Sequence, residues 1–522
     1  MEENMINPET PESTAPDQPI PPSPTYTYVE PPKYTFPMGK TELVCGILLL
    51  LFSMVMCNGL LFAGPNLAFA IGTLGIMGSS FGYLLLKKHR PDGYTIILMI
   101  LSVVLAATIP RSDDDGLKFL ITCTLLVVPS LALCLTAGQN RRKPSGFLSL
   151  LDAPRTLFGF GVGRITESAR GIRVACSSSG AIGKKGSAVI LGLLIAIPLL
   201  AVMVPLLMFA DAAFEGLLDL LPEFQWGEVL TTAVLGFGIG YILYTRNVTL
   251  QYLPKSEVSP GTRKGLNPIT VNTVLVCVAV VYVTYLFSQL AYFVGGFSGI
   301  LPQGYTMAEY ARRGFFEMAT LCTINLSIIA FSVGLVSGDG KAPLATRLIC
   351  LFIGLVTLFL VTAASAKMVL YIGSFGLTRL RVLTEVFMLW LAFTTVLVCI
   401  WLFREKTAYM KGAVIAALAL CTVLVWTDVD TVVARYNVRA YQSGQLETVD
   451  VSHLGSLSCS AVPYLQELTQ DENPEIAQKA TDILNRKARF MYEDEDLRSW
   501  NYEKMRATEI LKTYQKTEKA ER

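Results

Sequence analysis

One stretch decides the fold: Gly376-Leu-Thr-Arg-Leu-Arg-Val-Leu-Thr-Glu385 leads directly into an apolar run that continues to about residue 403. Such a run can cross a bilayer, whereas an arginine or aspartate at the bilayer centre costs roughly 2.5 to 3.5 kcal/mol. Charges also abut apolar runs from Glu309 to Glu317 and from Asp428 to Arg435. All of these charges must lie at a membrane interface or pair inside the protein.

The composition of the whole chain is that of a membrane protein. Of 522 residues, 52% are hydrophobic and 16% are charged, and the mean hydropathy is +0.48. An ordinary soluble domain has about 25% charged residues. The chain is therefore expected to be a polytopic integral membrane protein that lies in a lipid bilayer.

Apolar runs of spanning length follow one another along the chain and predict an all-α transmembrane helical bundle of about eleven spans. The third and the last runs are short, so ten or twelve spans stay open. The runs are 41–62, 65–86, 94–109, 117–136, 187–209, 228–245, 269–294, 311–336, 344–366, 382–403 and 411–427.

The two ends of the chain differ from this core. Residues 1–40 are rich in Pro, Glu, Thr and Ser, so they are expected to form a disordered tail, either a plain flexible one or a ligand for an SH3-like protein partner. Because a long polar stretch precedes the first run, we expect that run to be an uncleaved first span rather than a cleavable signal. Residues 428–522 predict a small helical appendage, with helices from Ser460 to Gln470, from Asn473 to about Met491 and from Leu497 to Tyr514.

Orientation follows from the distribution of Lys and Arg. If the N-terminus is cytoplasmic, the inner loops carry 23 of these residues and the outer loops carry seven, counted up to Asp428. This predicts a multi-pass protein of the cell membrane with a cytoplasmic N-terminus and an extracytoplasmic C-terminus. The predicted divisions are a cytoplasmic tail (1–40), four spans (41–136), a basic cytoplasmic loop (137–186), seven spans (187–427) and the extracytoplasmic appendage (428–522).

The basic loop contains Arg164, Arg170 and Arg173, with Ile165, Ala169 and Ile172 spaced along one helical face. A short amphipathic helix on the inner leaflet fits this pattern, because anionic lipid attracts exposed Lys and Arg. Several glycines oppose that interpretation, and a solvated loop that only sets topology is the alternative.

Several other classes of function are excluded. Most of the eleven cysteines lie in apolar runs, where they behave as small hydrophobic residues, and no metal-ligand spacing or disulfide framework is present. The chain contains only two histidines, and its net charge is +2, so we expect no metal, no cofactor and no nucleic-acid partner. Asp450, His453 and Cys459 are interpreted as ordinary surface residues rather than a thiol catalyst.

Counting spans gathers the charged stretches at four helix ends on the outer face. Arg313 with Glu317 and Arg381 with Glu385 have the i,i+4 spacing of helical ion pairs. Arg312 and Arg379 would then bind an anion such as a lipid phosphate or a carboxylate. The alternative is that the charges only anchor and pack the spans. The candidate ligand-binding set is Arg312, Arg313, Glu317, Lys367, Tyr371, Arg379, Arg381, Glu385, Asp428, Asp430 and Arg435.

Four ordered motifs stand out in the second half of the chain: Glu309-Tyr-Ala-Arg-Arg-Gly-Phe-Phe-Glu317, Tyr371 with Gly376-Leu-Thr-Arg-Leu-Arg381, Ala434-Arg-Tyr-Asn437 and Ser499-Trp-Asn501. Over about residues 190–510 the chain resembles a bacterial multi-pass membrane family catalogued only as a domain of unknown function, number four-one-seven-three. The resemblance implies a helical membrane core with an outer appendage and supplies no activity, substrate or cofactor.

Three functional hypotheses stay open. The first is binding or transport of an anionic lipid or small anionic solute in an outer-leaflet pocket, where Gly192 to Pro205 and Gly236 to Gly240 would fit moving or broken helices. The second is an enzyme that acts on a lipid-linked phosphate, with Glu317 or Glu385 as acid or base. The third is a non-catalytic scaffold or regulatory protein. Enzymatic activity is the less favoured class, because no metal motif or histidine dyad is present.

Overall fold

The computed structural model describes residues 36–142, 147–177, 226–255, 265–297, 315–337, 341–404, 407–490 and 497–521, together with five separate positions between 192 and 207. These residues form helices, turns and loops, and no strand occurs among them. The predicted all-α class is confirmed. The tail up to residue 35, the fifth predicted span at 187–209, and Arg312 and Arg313 lie outside the described residues.

Most helices of the membrane part coincide with the predicted spans. Nine described helices are long and apolar enough to cross a membrane, and the sixteen-residue α3 is a shorter apolar helix. The helices are α1 (Lys40–Asn58), α2 (Leu67–Leu86), α3 (Gly93–Thr108), α4 (Asp115–Ala137), α5 (Ile165–Ser177), α6 (Trp226–Tyr252), α7 (Pro268–Phe297), α8 (Phe315–Ser337), α9 (Leu344–Phe375), α10 (Arg379–Phe403) and α11 (Tyr409–Thr427).

The long helices turn much of their apolar surface outward. Only 17% to 56% of the most apolar window of each candidate span is buried. Phe119 and Ile269 are more than 70% exposed. Helices that are hydrophobic on their outer side need lipid rather than water around them. The protein is therefore membrane-embedded.

Helix ends gather on two faces of the bundle. On one face, called here the appendage face, the backbone N–H of Tyr502 in the C-terminal part donates to Pro110 O, between α3 and α4, at 2.9 Å. On the other, called the opposite face, Tyr252 at the end of α6 donates to Glu42 at the start of α1 at 2.9 Å. α5 lies on the opposite face, and α6 begins on the appendage face, where Glu228 pairs with Arg498. The helix ends alternate as the span order predicts, whereas the membrane side of each face stays a prediction.

The appendage is a small helical unit with its own apolar core. Its helices are α12 (Val429–Gln442), α13 (Val451–Ser456), α14 (Val462–Leu468), α15 (Pro474–Phe490) and α16 (Tyr502–Glu521). Side chains such as Val433, Leu465 and Leu484 are fully buried in its centre. The sequence anticipated α14, α15 and α16 but not α12 or α13.

The glycines of α6 serve close packing. α6 is continuous from Trp226 to Tyr252, so Gly236 to Gly240 do not interrupt it, contrary to the interpretation as a broken helix. A Cβ atom at Gly240 would lie 2.9 Å from the Leu50 Cα atom of α1, closer than side chains approach a backbone. Small residues spaced in this way allow membrane helices to pack backbone to backbone. The other interrupted stretch, Gly192 to Pro205, lies outside the described residues apart from separate positions.

Candidate functional site at the appendage face

The turn between α9 and α10 is fixed by one side chain of the appendage. Asn437 Oδ1 accepts a hydrogen bond from Leu377 N, and its Nδ2 donates to Leu377 O, each at 2.7 Å. Gly376 has a φ of +74°, which favours glycine. A Cβ atom there would lie 2.5 Å from Asn437 Oδ1. These contacts therefore fix the position of the start of α10 relative to the appendage.

Arg379, the first residue of α10, is clamped by two carboxylates from different elements. Its Nε and Nη2 donate to Asp430 Oδ1 and Oδ2 at 2.8 and 2.5 Å, a bidentate pair. Asp114 Oδ2, before α4, lies 3.0 Å from the same Nε but lacks hydrogen-bond geometry, so that contact is an ion pair only. Arg379 is thus already neutralised, and the expectation that it is left to bind an anion does not fit this geometry.

The two carboxylates respond differently to Arg379. Asp430 is 1% exposed, and burial raises its pKa, but hydrogen bonds from Arg379 and from the Ser458 backbone at 2.7 Å outweigh burial and lower the pKa overall. Asp114 is 4% exposed, and burial raises its pKa despite the ion pair with Arg379. The clamp therefore holds one strongly stabilised carboxylate and one that is only partly compensated.

Glu503 on α16 is a buried carboxyl beside the clamp. Its Oε2 accepts hydrogen bonds from Asp113 N at 2.9 Å and from Ser460 Oγ at 2.8 Å. Its Oε1 is buried without a hydrogen-bond partner. Burial, reinforced by the charge of Asp428, raises the pKa of Glu503 to about 8. Glu503 is therefore mostly protonated at neutral pH and links α16 to the loop between α3 and α4.

A lysine and two asparagines complete the polar contact between the bundle and the appendage. Lys118 is 2% exposed, and its Nζ donates to Asn66 Oδ1 at 2.7 Å. Asn501, at the N-terminus of α16, donates to Ser112 O at 2.6 Å, and its Oδ1 accepts from the Glu503 backbone N–H at 3.0 Å. Asn501 thus caps α16 and fastens it to the α3–α4 loop.

Arg381 does not form the helical ion pair that its spacing predicts. Its Nη1 donates to Phe375 O at 3.1 Å and to Gly376 O, and its guanidinium lies 4.2 Å from the centre of the Tyr371 ring. Among the described residues, no carboxylate pairs with Arg381. Glu385 is half-buried on the next turn, and its Oε1 has no hydrogen-bond partner. The predicted pairing of Arg381 with Glu385 is therefore wrong in this structure.

The remaining candidates are dispersed. Glu317 and Arg435 are exposed, and Lys367 is half-buried near the end of α9. The structure therefore brings Tyr371, Arg379, Arg381, Asp428 and Asp430 to the α9–α10 and α11–α12 junctions. Residues missed from the sequence are Asp114, Lys118, Asn437 and Glu503. The acidic run Asp113-Asp-Asp115 and the motif ending in Asn437 are the sequence signals that could have indicated two of them.

The thiol and metal alternatives gain nothing from the geometry. Asp450 accepts from His453 N at 2.9 Å as the cap of α13. Burial, together with the charge of Asp113, raises the pKa of the Cys459 thiol, opposite to what a thiolate nucleophile needs. Within the part of the chain that the structure describes, no group of three or more His, Cys, Asp or Glu side chains could hold a metal ion.

The comparisons with known proteins give a family and no activity. A family described as Domain of unknown function (DUF4153) matches residues 96–468, most of the chain. The expected membership in a domain-of-unknown-function family is confirmed; the matched family carries the number 4153, and the match begins in α3 and ends in α14. No curated protein and no solved structure matches.

Proposed function

Because the chain belongs to the DUF4153 family, which has no assigned function, its activity must be argued from its own residues, and we propose that it binds an anionic lipid or a small anionic solute at the appendage face. The observation that carries this proposal is the state of Arg381. Arg379 already has two carboxylates, whereas Arg381 has none among the described residues.

The surroundings of Arg381 favour an anion. It lies in the first turn of α10, where the helix dipole adds partial positive charge. Tyr371 packs against one face of the guanidinium, which is half-buried at the end of a membrane helix. A phosphate or carboxylate at this level would accept from the guanidinium N–H groups that the two backbone carbonyls leave unused.

The test is the variant Arg381→Gln in the purified full-length protein. We expect the variant to lose at least tenfold of its retention of phosphatidylglycerol, measured by native mass spectrometry, with an unchanged thermal midpoint. A parallel thermal-shift titration with inorganic phosphate distinguishes a free anion from a lipid headgroup. Arg435→Gln removes an exposed arginine from α12 and is the matched control. If Arg381→Gln retains as much lipid and responds as strongly to phosphate as the parent, the proposal is wrong.

A scaffold or regulatory role is the second candidate, and the clamp at Arg379 favours it. The appendage is held to the bundle through Asp430, which pairs with Arg379 of α10, and through Asn501 and Glu503, which bond to the α3–α4 loop, as a rigid external platform would require. In this case Arg381→Gln changes nothing, and a protein partner is captured by the intact appendage but not after deletion of residues 428–522.

The orientation of the protein is also a proposal. The excess of Lys and Arg in the loops of the opposite face supports a cytoplasmic position for that face in a cell membrane. A cysteine introduced at Lys512, which is exposed on α16, should then react with an impermeant thiol reagent in intact cells. Labelling only after lysis would reverse the orientation.

A further inference from the structure

Residues 147–177 are firmly attached to the membrane helices on the opposite face. The Tyr241 hydroxyl of α6 donates to Ile165 O, and the Thr249 hydroxyl donates to Phe160 O, each at 3.3 Å. Gly171 of α5 packs so closely on Phe36 O that a Cβ atom would collide with that oxygen. Residues 147–177 therefore pack against the bundle in a defined position.

The depth of these contacts can be estimated from α6. A helix needs about 20 residues to cross a hydrocarbon layer of about 30 Å. If the layer begins at Gly227, at the appendage-face end of α6, the twentieth residue, Arg246, marks its other boundary. Tyr241 then lies roughly 7 Å inside the boundary of the hydrocarbon on the opposite face. The segment that contacts Tyr241 is therefore at the level of headgroups and upper acyl chains, where interfacial helices lie.

The outer surface of the segment is both basic and apolar. Phe158 and Val162 are 60% and 49% exposed. Arg170 and Arg173 are exposed on the outward side of α5, and no described carboxylate pairs with either. Ile172 on the inward side is buried, whereas Ile165 is half-buried and Ala169 is exposed, so the apolar face predicted from the sequence is only partly covered by the bundle. A lipid surface with anionic headgroups would neutralise the two arginines and cover the two apolar side chains. Water would leave the apolar side chains exposed.

We propose that residues 147–177 form a binding surface for anionic phospholipids of the leaflet at the opposite face, with Arg170 and Arg173 on the headgroup phosphates and Phe158 and Val162 among the upper acyl chains. This surface lies across the membrane from Arg381 and does not depend on the function proposed for that residue.

The test places a fluorescent probe in the surface of the full-length protein. Val162→Trp is reconstituted in nanodiscs that contain either brominated phosphatidylglycerol or brominated phosphatidylcholine, and the parent protein supplies the background of its five tryptophans. We expect quenching by both lipids and a clear preference for the anionic one. Phe158→Trp is an independent probe for the case in which the first variant does not fold.

The double change Arg170→Gln and Arg173→Gln should remove the preference while quenching by phosphatidylcholine persists. At roughly 1 kcal/mol per arginine, the preference should fall by up to about 30-fold. Arg435→Gln with Arg439→Gln removes two exposed arginines from the appendage face and should leave the preference unchanged. Quenching at the background level, an unchanged preference in the double variant, or an equal loss in the appendage control would each overturn the proposal.

Discussion

Protonation of Glu503 should control how firmly the appendage is attached, and Glu503→Gln tests this directly. The carboxyl is 6% exposed, it accepts from the α3–α4 loop, and no described cation pairs with it. Its Oε1 atom has no hydrogen-bond partner. Ionisation therefore creates a buried negative charge close to Asp428, and the docked state of α16 should prefer the protonated form.

The size and direction of the effect follow from linkage. The pKa of Glu503 is raised from 4.5 to about 8 in the folded protein, so the folded state holds a proton that the detached state releases. The stabilisation of the docked state by the bound proton is fully present below pH 4.5 and declines as the pH rises toward 8. Above that value it has been lost, and the stability no longer changes with pH through this group. One pKa unit corresponds to about 1.4 kcal/mol, so the total change is at most about 5 kcal/mol.

Thermal unfolding of the full-length protein from pH 5 to 9, followed by tryptophan fluorescence, measures the prediction. Trp500, 38% exposed and three residues before Glu503, provides a local signal. The parent midpoint should fall with rising pH, and the Gln variant should lose most of that slope while exceeding the parent at pH 8. Glu509→Gln changes an exposed carboxyl of the same helix and should retain the slope. Equal slopes for the parent and Glu503→Gln would refute the reasoning.

Three further predictions concern stability, measured as the free energy of unfolding in detergent. Arg379→Ala leaves two buried carboxylates without their cation and should cost about 3 to 5 kcal/mol, whereas Arg435→Ala on the exposed face should stay within about 0.5 kcal/mol. Gly376→Ala forces a methyl group against the side chain that bridges the α9–α10 turn and should cost more than about 1 kcal/mol, seen also as increased proteolysis at the turn. Gly240→Leu should destabilise by about 1 to 3 kcal/mol because it separates α6 from α1, and Gly238→Leu, with open space around it, should be tolerated.

The membrane helices could be predicted because one physical term dominates them. A backbone in hydrocarbon must satisfy its hydrogen bonds internally, so long apolar runs become helices whatever their neighbours are. The α12 helix was missed although Val429 with Val433, and Ala434 with Val438, have the i,i+4 spacing of a helix. Its polar composition resembles that of a loop, and its fold depends on packing in the appendage core, which a local pattern does not reveal.

The partners of the charged side chains could not be predicted for a different reason. Sequence spacing favoured Arg381 with Glu385, one helical turn apart. The structure instead pairs Arg379 with Asp114 and Asp430, which come from distant parts of the chain. Counting spans brings such residues to one face, but the choice among carboxylates on that face depends on distances of a few ångströms, which are set by the α9–α10 turn and by the docking of the appendage.

The order in which these groups can be buried bears on function. Asn66 and Lys118 belong to early helices, whereas Asn501 and Glu503, which cover them, come near the end of the chain. Before α16 docks, Asn66 and Lys118 lie at helix ends on the appendage face, where water can hydrate them. They lose this hydration only when α16 docks on them. While it is docked, α16 therefore covers a layer of buried polar side chains. Arg381 is part of α10 and lies outside that layer, so the ligand proposed for it would not require the appendage to undock.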